Sequence, residues 1–349
     1  MNNVVAIIVT SMVLGGCVSD PTTVQPVVPV PSATGVYILN EGLWEQGNAS
    51  LSYYNLESFQ VYNDVFNAAN GRPLGDVGNQ ITIRGGRAYI VVNNSDRIEI
   101  IDVSDNRSVG TINVGAGKSP RQLAFVNDSL ALVTSLYDNS VLALNLKSMQ
   151  AGQRIPVGTN PEGIAVTHGK AYVANSGFGA GTTVSVIDLA SWQSIREITV
   201  PENPAAVLVS PDGFVCVVCA GSYGDFQNPD DDTPARLAVI DPTDDHLAAS
   251  VLIGGHAFTM ALDADGIGFV PTTDSVVTVD TRSRHVIGTF RKGSYYGVGV
   301  ERVSGDVYLT DVKNYAQPGT VEVYSSTGLF RTSFTVGLVP GTLAFKRPS

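Results

Sequence analysis

Charge is scarce in this chain. Only 15% of its 349 residues are Asp, Glu, Lys or Arg, which argues against a coiled coil or a charged helical bundle, and 44% are hydrophobic, which argues against a disordered chain. Basic residues are the smaller group, 21 against 32 acidic, and the resulting net charge of −11 repels phosphate backbones and anionic lipid heads. Nucleic acid is therefore excluded as an expected partner. With three cysteines no disulfide framework can hold the fold, so stability has to come from packing. With four histidines there is little material for a multi-histidine metal site. No nucleophile elbow, Walker loop or HExxH motif occurs. What is abundant is glycine (36) and proline (18) among short apolar runs, the composition of an all-β protein.

The apolar run from Val4 to Gly16 is too short to span a bilayer as a helix. It ends in Leu14-Gly15-Gly16-Cys17, which resembles a bacterial lipobox, where cleavage before the cysteine leaves Cys17 to carry the lipid. The segment Met1-Asn2-Asn3 departs from that pattern in having no Lys or Arg. Residues 18–34 contain Pro21, Pro26, Pro29 and Pro31, a composition that favours an extended tether. The expected organisation is a lipoprotein signal over 1–17, a Pro-rich tether over 18–34 and one folded domain over 35–349. Cys216 and Cys219 form a CxxC spacing inside an apolar, β-branched run. Side chains alternate along a strand, so the two thiols are expected on opposite faces as buried structural groups, with no metal or disulfide between them.

Seven runs share one apolar pattern followed by a polar turn: Ser50–Asn55, Ile98–Val103, Val141–Leu146, Val184–Leu189, Leu237–Pro242, Val276–Thr281 and Val321–Ser326. Aligned at positions 54, 102, 145, 188, 241, 280 and 325, they recur every 39 to 53 residues. A second series (Ile81–Ile83, Leu123–Phe125, Ile164–Val166, Val207–Val209, Met260–Leu262, Val298–Val300, Leu343–Phe345) follows polar or Gly/Pro-rich loops, with Pro120, Pro161, Pro204 and Pro340 in register. Further apolar runs lie between the two series, and a fourth closes each unit. Four short strands per unit at this period predict a seven-bladed β-propeller with four-stranded blades. The first unit lacks an inner strand and the chain ends with a spare one, so the C-terminal strand is expected to complete the first blade and hide its edge.

Tyr172-Val173-Ala174-Asn175, the following Thr183–Leu189 run and the preceding Val157–Val166 segment resemble the YVTN-repeat β-propellers. The first unit, Gly35-Val-Tyr-Ile-Leu-Asn40-Glu41-Gly42 with Gly47–Tyr54, is similar to lipid-anchored surface propellers of Bacteroidota-type bacteria, a group that includes cobalamin-capturing lipoproteins seated over a TonB-dependent transporter. The resemblance implies an outer-membrane surface lipoprotein that captures a small-molecule or protein ligand, a corrinoid for such a transporter among them.

In a propeller the outer-to-inner and B-to-C connections gather on one face. The hairpins on the other face are compact Gly/Asp turns. The first set here is long and varied: 40–48, 67–79, 137–139, 176–181, 221–232, 291–296 and 313–319. This face carries Trp44, Tyr137, Phe178, Tyr223, Phe226, Phe258, Tyr295, Tyr296 and Tyr315. Rigid rings beside amides suit ligand capture, so Trp44, Tyr137, Phe178, Tyr223, Phe226, Tyr296 and Tyr315 are candidate contacts, with Asn94, Asn139, Asn175 and Asn314 as hydrogen-bonding amides. Of the histidines only His256 falls on this face, and it joins the candidates. No catalytic residue, metal or cofactor is expected, and Asp230–Asp232 reads as a solvated acidic loop. Two competing readings remain: a propeller enzyme of lyase or hydrolase type, whose Ser-His-Asp triad would have to centre on His256, and a structural or adhesive surface protein binding protein or polysaccharide.

Overall fold

The computed structural model describes residues 33–224 and 229–348. The expected segments 1–17 and most of 18–34, with Cys17, lie outside them, as does Phe226. Seven four-stranded antiparallel sheets form the domain, each a blade whose strands run A to D from the central channel outwards. The inner strands are Pro340–Lys346 for blade 1, then Gly78–Arg84, Pro120–Asn127, Pro161–Thr167, Pro204–Val209, Ala261–Leu262 and Gly297–Val300. The all-β, seven-bladed reading holds. A six-residue helix, Val65–Asn70, interrupts it inside the connection after blade 1, where the sequence predicts a long loop over 67–79. Its Val65 and Phe66, with Leu74 beyond, are buried in the core between blades 1 and 2, which explains why apolar residues stand in a surface connection.

The repeated polar position is a turn device. Asn55, Asp102, Asn145, Asp188, Asp241 and Asp280 end the C strands, and each side-chain oxygen accepts a backbone N–H two or three residues later, at 2.8 to 3.0 Å. In the first unit the equivalent residue is Asn55, opposite Gly35, one place beyond the Tyr54 used to align the repeats. Blade-to-blade contacts also recur. The Tyr37 hydroxyl donates to Asn106 Oδ1 at 2.6 Å, and the Tyr172 hydroxyl donates to Asp245 Oδ1 at 2.5 Å, each reaching the C–D hairpin of the following blade. Both acceptors occupy positive φ (62° and 58°), where Asn and Asp are tolerated.

Closure follows expectation. Strand Pro340–Lys346 pairs with Gly35–Asn40, Val36 facing Phe345 and Ile38 facing Leu343. The Lys346 ammonium donates to the Val103 carbonyl at 2.8 Å in blade 2, tying the last strand across the seam. Cys216 and Cys219 are free, buried and in two different cores, one on each side of the blade 5 sheet. Burial pushes both thiols up to about 12.

Candidate functional site

Five inner strands begin in the same way. Val77, Ser119, Asn160, Asn203 and Val339 take φ of 48° to 58°. Gly78 or a proline follows (120, 161, 204, 340), and then Asn79, Arg121, Glu162, Ala205 and Gly341, all lining the mouth of the central channel. The turn, followed in four of the five by a proline of fixed φ, delivers one chosen position per blade to this neck. The neck is therefore written one residue at a time: amide, guanidinium, carboxylate, methyl, hydrogen.

Two cavities meet there. The larger, about 960 Å3, follows the channel past apolar inner-strand residues that include Ile81, Leu208, Leu262, Val300 and Phe345, and opens between Tyr223, Phe258, Tyr296 and Tyr315. The smaller, about 560 Å3, lies over blades 3 to 5 beneath Phe178 and Tyr223. Arg121, Gln122, Tyr223 and Phe258 line both and so mark their junction.

The neck is polar and internally paired. Arg121 Nε donates to Glu162 Oε2 at 2.6 Å and its Nη1 donates to Asn79 Oδ1 at 2.5 Å, while Asn79 Nδ2 donates back to the Arg121 carbonyl at 3.1 Å. Beside them Glu41, the residue after the B strand of blade 1, accepts from the Tyr296 hydroxyl at 3.0 Å. Gly341 leaves room for that carboxyl: a Cβ there would lie 2.6 Å from Glu41 Oε1. Burial pushes Glu41 up to about 7, against the opposing effects of the Tyr296 hydrogen bond and the Arg121 charge. The Tyr296 hydroxyl is pushed well above its usual range, first by burial and then by Glu41. A carboxyl that titrates near neutrality in a cleft is a functional-site signal.

Three aromatic pairs stand around the opening. Tyr223 stacks on His256 at 3.7 Å, Tyr137 meets Phe178 at 5.9 Å, and Tyr296 meets Tyr315 edge to face at 6.1 Å. The His256 ring is covered: Nδ1 faces the Ala220 carbonyl at 3.0 Å, so the proton on that nitrogen donates to it, and Nε2 faces Asp232 Oδ2 at 3.3 Å. No serine hydroxyl bonds this ring among the described residues, so the arrangement of a Ser-His-Asp triad is not assembled. Asp232 therefore faces the His256 ring and is not simply part of a solvated acidic loop.

Of the expected contacts, Tyr223, His256, Tyr296 and Tyr315 line the larger cavity, and Phe178 with Tyr223 lines the smaller. Trp44 and Tyr137 are half exposed on the rim outside both. All four amides make bonds within the fold. Asn175 is buried and donates to Thr183 and Ser185 hydroxyls, and Asn94 donates to Asp76. Asn139 accepts the Asn160 N–H, and Asn314 accepts the Ala316 N–H in a tight turn. Tyr295 points inward, its hydroxyl donating to Glu322 at 2.8 Å. Sequence reading passed over the neck residues Glu41, Asn79, Arg121 and Glu162. The register of Pro120, Pro161, Pro204 and Pro340 was the available signal, since the residue after each of these prolines faces the channel.

Among curated protein sequences none matches this chain. Solved structures resemble it in fold. Hydrazine synthase of Kuenenia stuttgartiensis aligns at 18% identity over 75% of this chain and 88% of its own, with a TM-score of 0.62. A quinonprotein alcohol dehydrogenase-like protein of Bacteroides thetaiotaomicron aligns at 18% identity over 90% of this chain and 79% of its own, with a TM-score of 0.70. At that identity the likeness is one of fold alone. Residues 34–223 match the family described as a domain of unknown function, DUF5074, and the chain belongs to that family.

Proposed function

We propose that the protein is a binding module without catalytic chemistry, which captures a bulky, partly apolar ligand in the funnel of the propeller. The observation that carries this reading is the continuous depression in which exposed rings (Tyr223, Phe258, Tyr296, Tyr315) surround a polar neck above an apolar channel. The covered His256, held by a carbonyl and a carboxylate, favours binding over hydrolysis. The finer reading is that the ligand is of the corrinoid type and that the protein is lipid-anchored through Cys17 at the outer-membrane surface, serving a TonB-dependent transporter. Support for it comes from the lipobox-like end of the first segment, the YVTN-like repeats and the likeness of the first unit to cobalamin-capturing surface lipoproteins. Calorimetry of residues 18–349 with cyanocobalamin tests it. Micromolar or tighter binding is expected. Replacing Tyr223 and Tyr296 together by Ala should weaken it at least thirtyfold, since one well-packed ring contributes about 2 kcal/mol. No heat at micromolar protein, or equal binding by the double variant, removes the corrinoid reading.

A further inference from the structure

The neck between the two cavities has a chemistry of its own. Arg121 reaches it with Nε and Nη1 engaged by Glu162 and Asn79, and its Nη2 has no hydrogen-bond partner among the described residues. Arg121 lines both cavities, so a ligand spanning them passes this group. Glu41 lines the same neck, its carboxyl placed over Gly341 and held by Tyr296.

We propose that Arg121 and Glu41 form an anchoring subsite at the neck, which binds a neutral carbonyl oxygen of the carboxamide class on the ligand the funnel captures. This rests on the reading of the funnel as a binding site and narrows what it accepts. Arg121 Nη2 can only donate, so its counterpart is an acceptor. Glu162 already neutralises the guanidinium, so a ligand carboxylate would give up its hydration at a neck with no net positive charge, on a chain of net charge −11. An amine would face the guanidinium itself. A neutral carbonyl meets neither penalty, and Glu41 becomes a second donor to it while protonated.

The groups facing Glu41 are few. Tyr296 donates to it from the connection before blade 7, and Arg121 acts on it from blade 3, with Glu162 behind the guanidinium and Tyr315 behind the phenol. The inner strand of blade 1 contributes uncharged Gly341 and Thr342, and that of blade 2 contributes Gly78, Asn79 and Gln80. Burial keeps the proton on Glu41 up to about pH 7, so the donor pair is complete on the acid side of neutrality and lost above it.

Acetamide is the probe. In the folded domain, residues 18–349, side-chain 15N resonances of Arg121 are followed by NMR at pH 6 and pH 8.5. Acetamide should shift them at pH 6, and with a midpoint near 7 the response at fixed acetamide should fall about thirtyfold by pH 8.5. Glu41→Gln, whose amide donates at any pH, should respond at both. Acetate should shift the wild-type signals less than acetamide does. A wild-type protein that ignores acetamide at both pH values, or responds equally at both, or prefers acetate, overturns the subsite, and none of these outcomes depends on the variant folding. Cyanocobalamin added to the same samples separates the two proposals: a domain that answers acetamide but not the corrinoid keeps the neck and loses the corrinoid.

Discussion

Removing residues 340–349 takes away the inner strand of blade 1 and opens the ring. Leu343 and Phe345 leave the core that also holds Val36 and Ile38, and Ala344 leaves the core of Tyr37 and Leu39. Val36, Tyr37, Ile38 and Leu39, all fully buried in the closed ring, then form an exposed apolar edge. Losing two large side chains at about 2 kcal/mol each and uncovering four more at about 1 kcal/mol each amounts to roughly 8 kcal/mol. The lost ladder and the Lys346 bond to Val103 add about 1 kcal/mol per hydrogen bond, and the total rivals the roughly 5–15 kcal/mol that holds a whole domain together. The deleted protein should therefore bind a hydrophobic dye, elute as aggregate and show no cooperative melt by circular dichroism. A permutant separates closure from simple loss of sequence. Lys346 pairs with Gly35, so residues 340–348 can be placed directly ahead of Thr34 as the first arm of an ordinary hairpin. That permutant should melt close to the parent. A deletion that melts within a few degrees of the full domain refutes the account of closure.

Glu41 should make stability depend on pH. Its folded value is raised to about 7, so the folded state holds the proton more tightly than the unfolded chain, and that contribution is complete below the unfolded value and lost as pH rises through 7. Glu41→Gln should match the wild type near pH 4.5 and exceed it above pH 7 by at most about 3 kcal/mol, less where solvent screens the carboxyl, as read from urea midpoints across that range. Cys216 and Cys219, pushed up to about 12, should resist iodoacetamide in the folded domain at pH 8 and label fully in denaturant; labelling of the native protein would contradict their burial. Cys17→Ser should remove lipid labelling and release the protein from the membrane fraction; unchanged fractionation would dismiss the anchor.

The neck explains why the site was less legible than the fold. Asn175 and Asn94 read from sequence as ligand amides because they end or follow B strands beside long loops. Only the packed blades reveal that Thr183, Ser185 and Asp76 already hold them. Glu41 and Tyr296 stand 255 positions apart, and no local pattern pairs them. Arg121 and Glu162 are 41 apart, one repeat, and the register of Pro120 and Pro161 already places them at equivalent positions.

What the sequence determined by itself was therefore the architecture. Alternation within strands, the Asn or Asp at the C-strand turn and the missing and spare inner strands are local features or repeat at a fixed interval. Backbone hydrogen bonding and apolar burial convert such features into blades with little help from distant contacts. The tertiary structure alone decided which polar groups face a ligand and which face each other, and where a carboxyl holds its proton. Those properties depend on desolvation and on neighbours brought together by ring closure, and neither is written in any one stretch of chain.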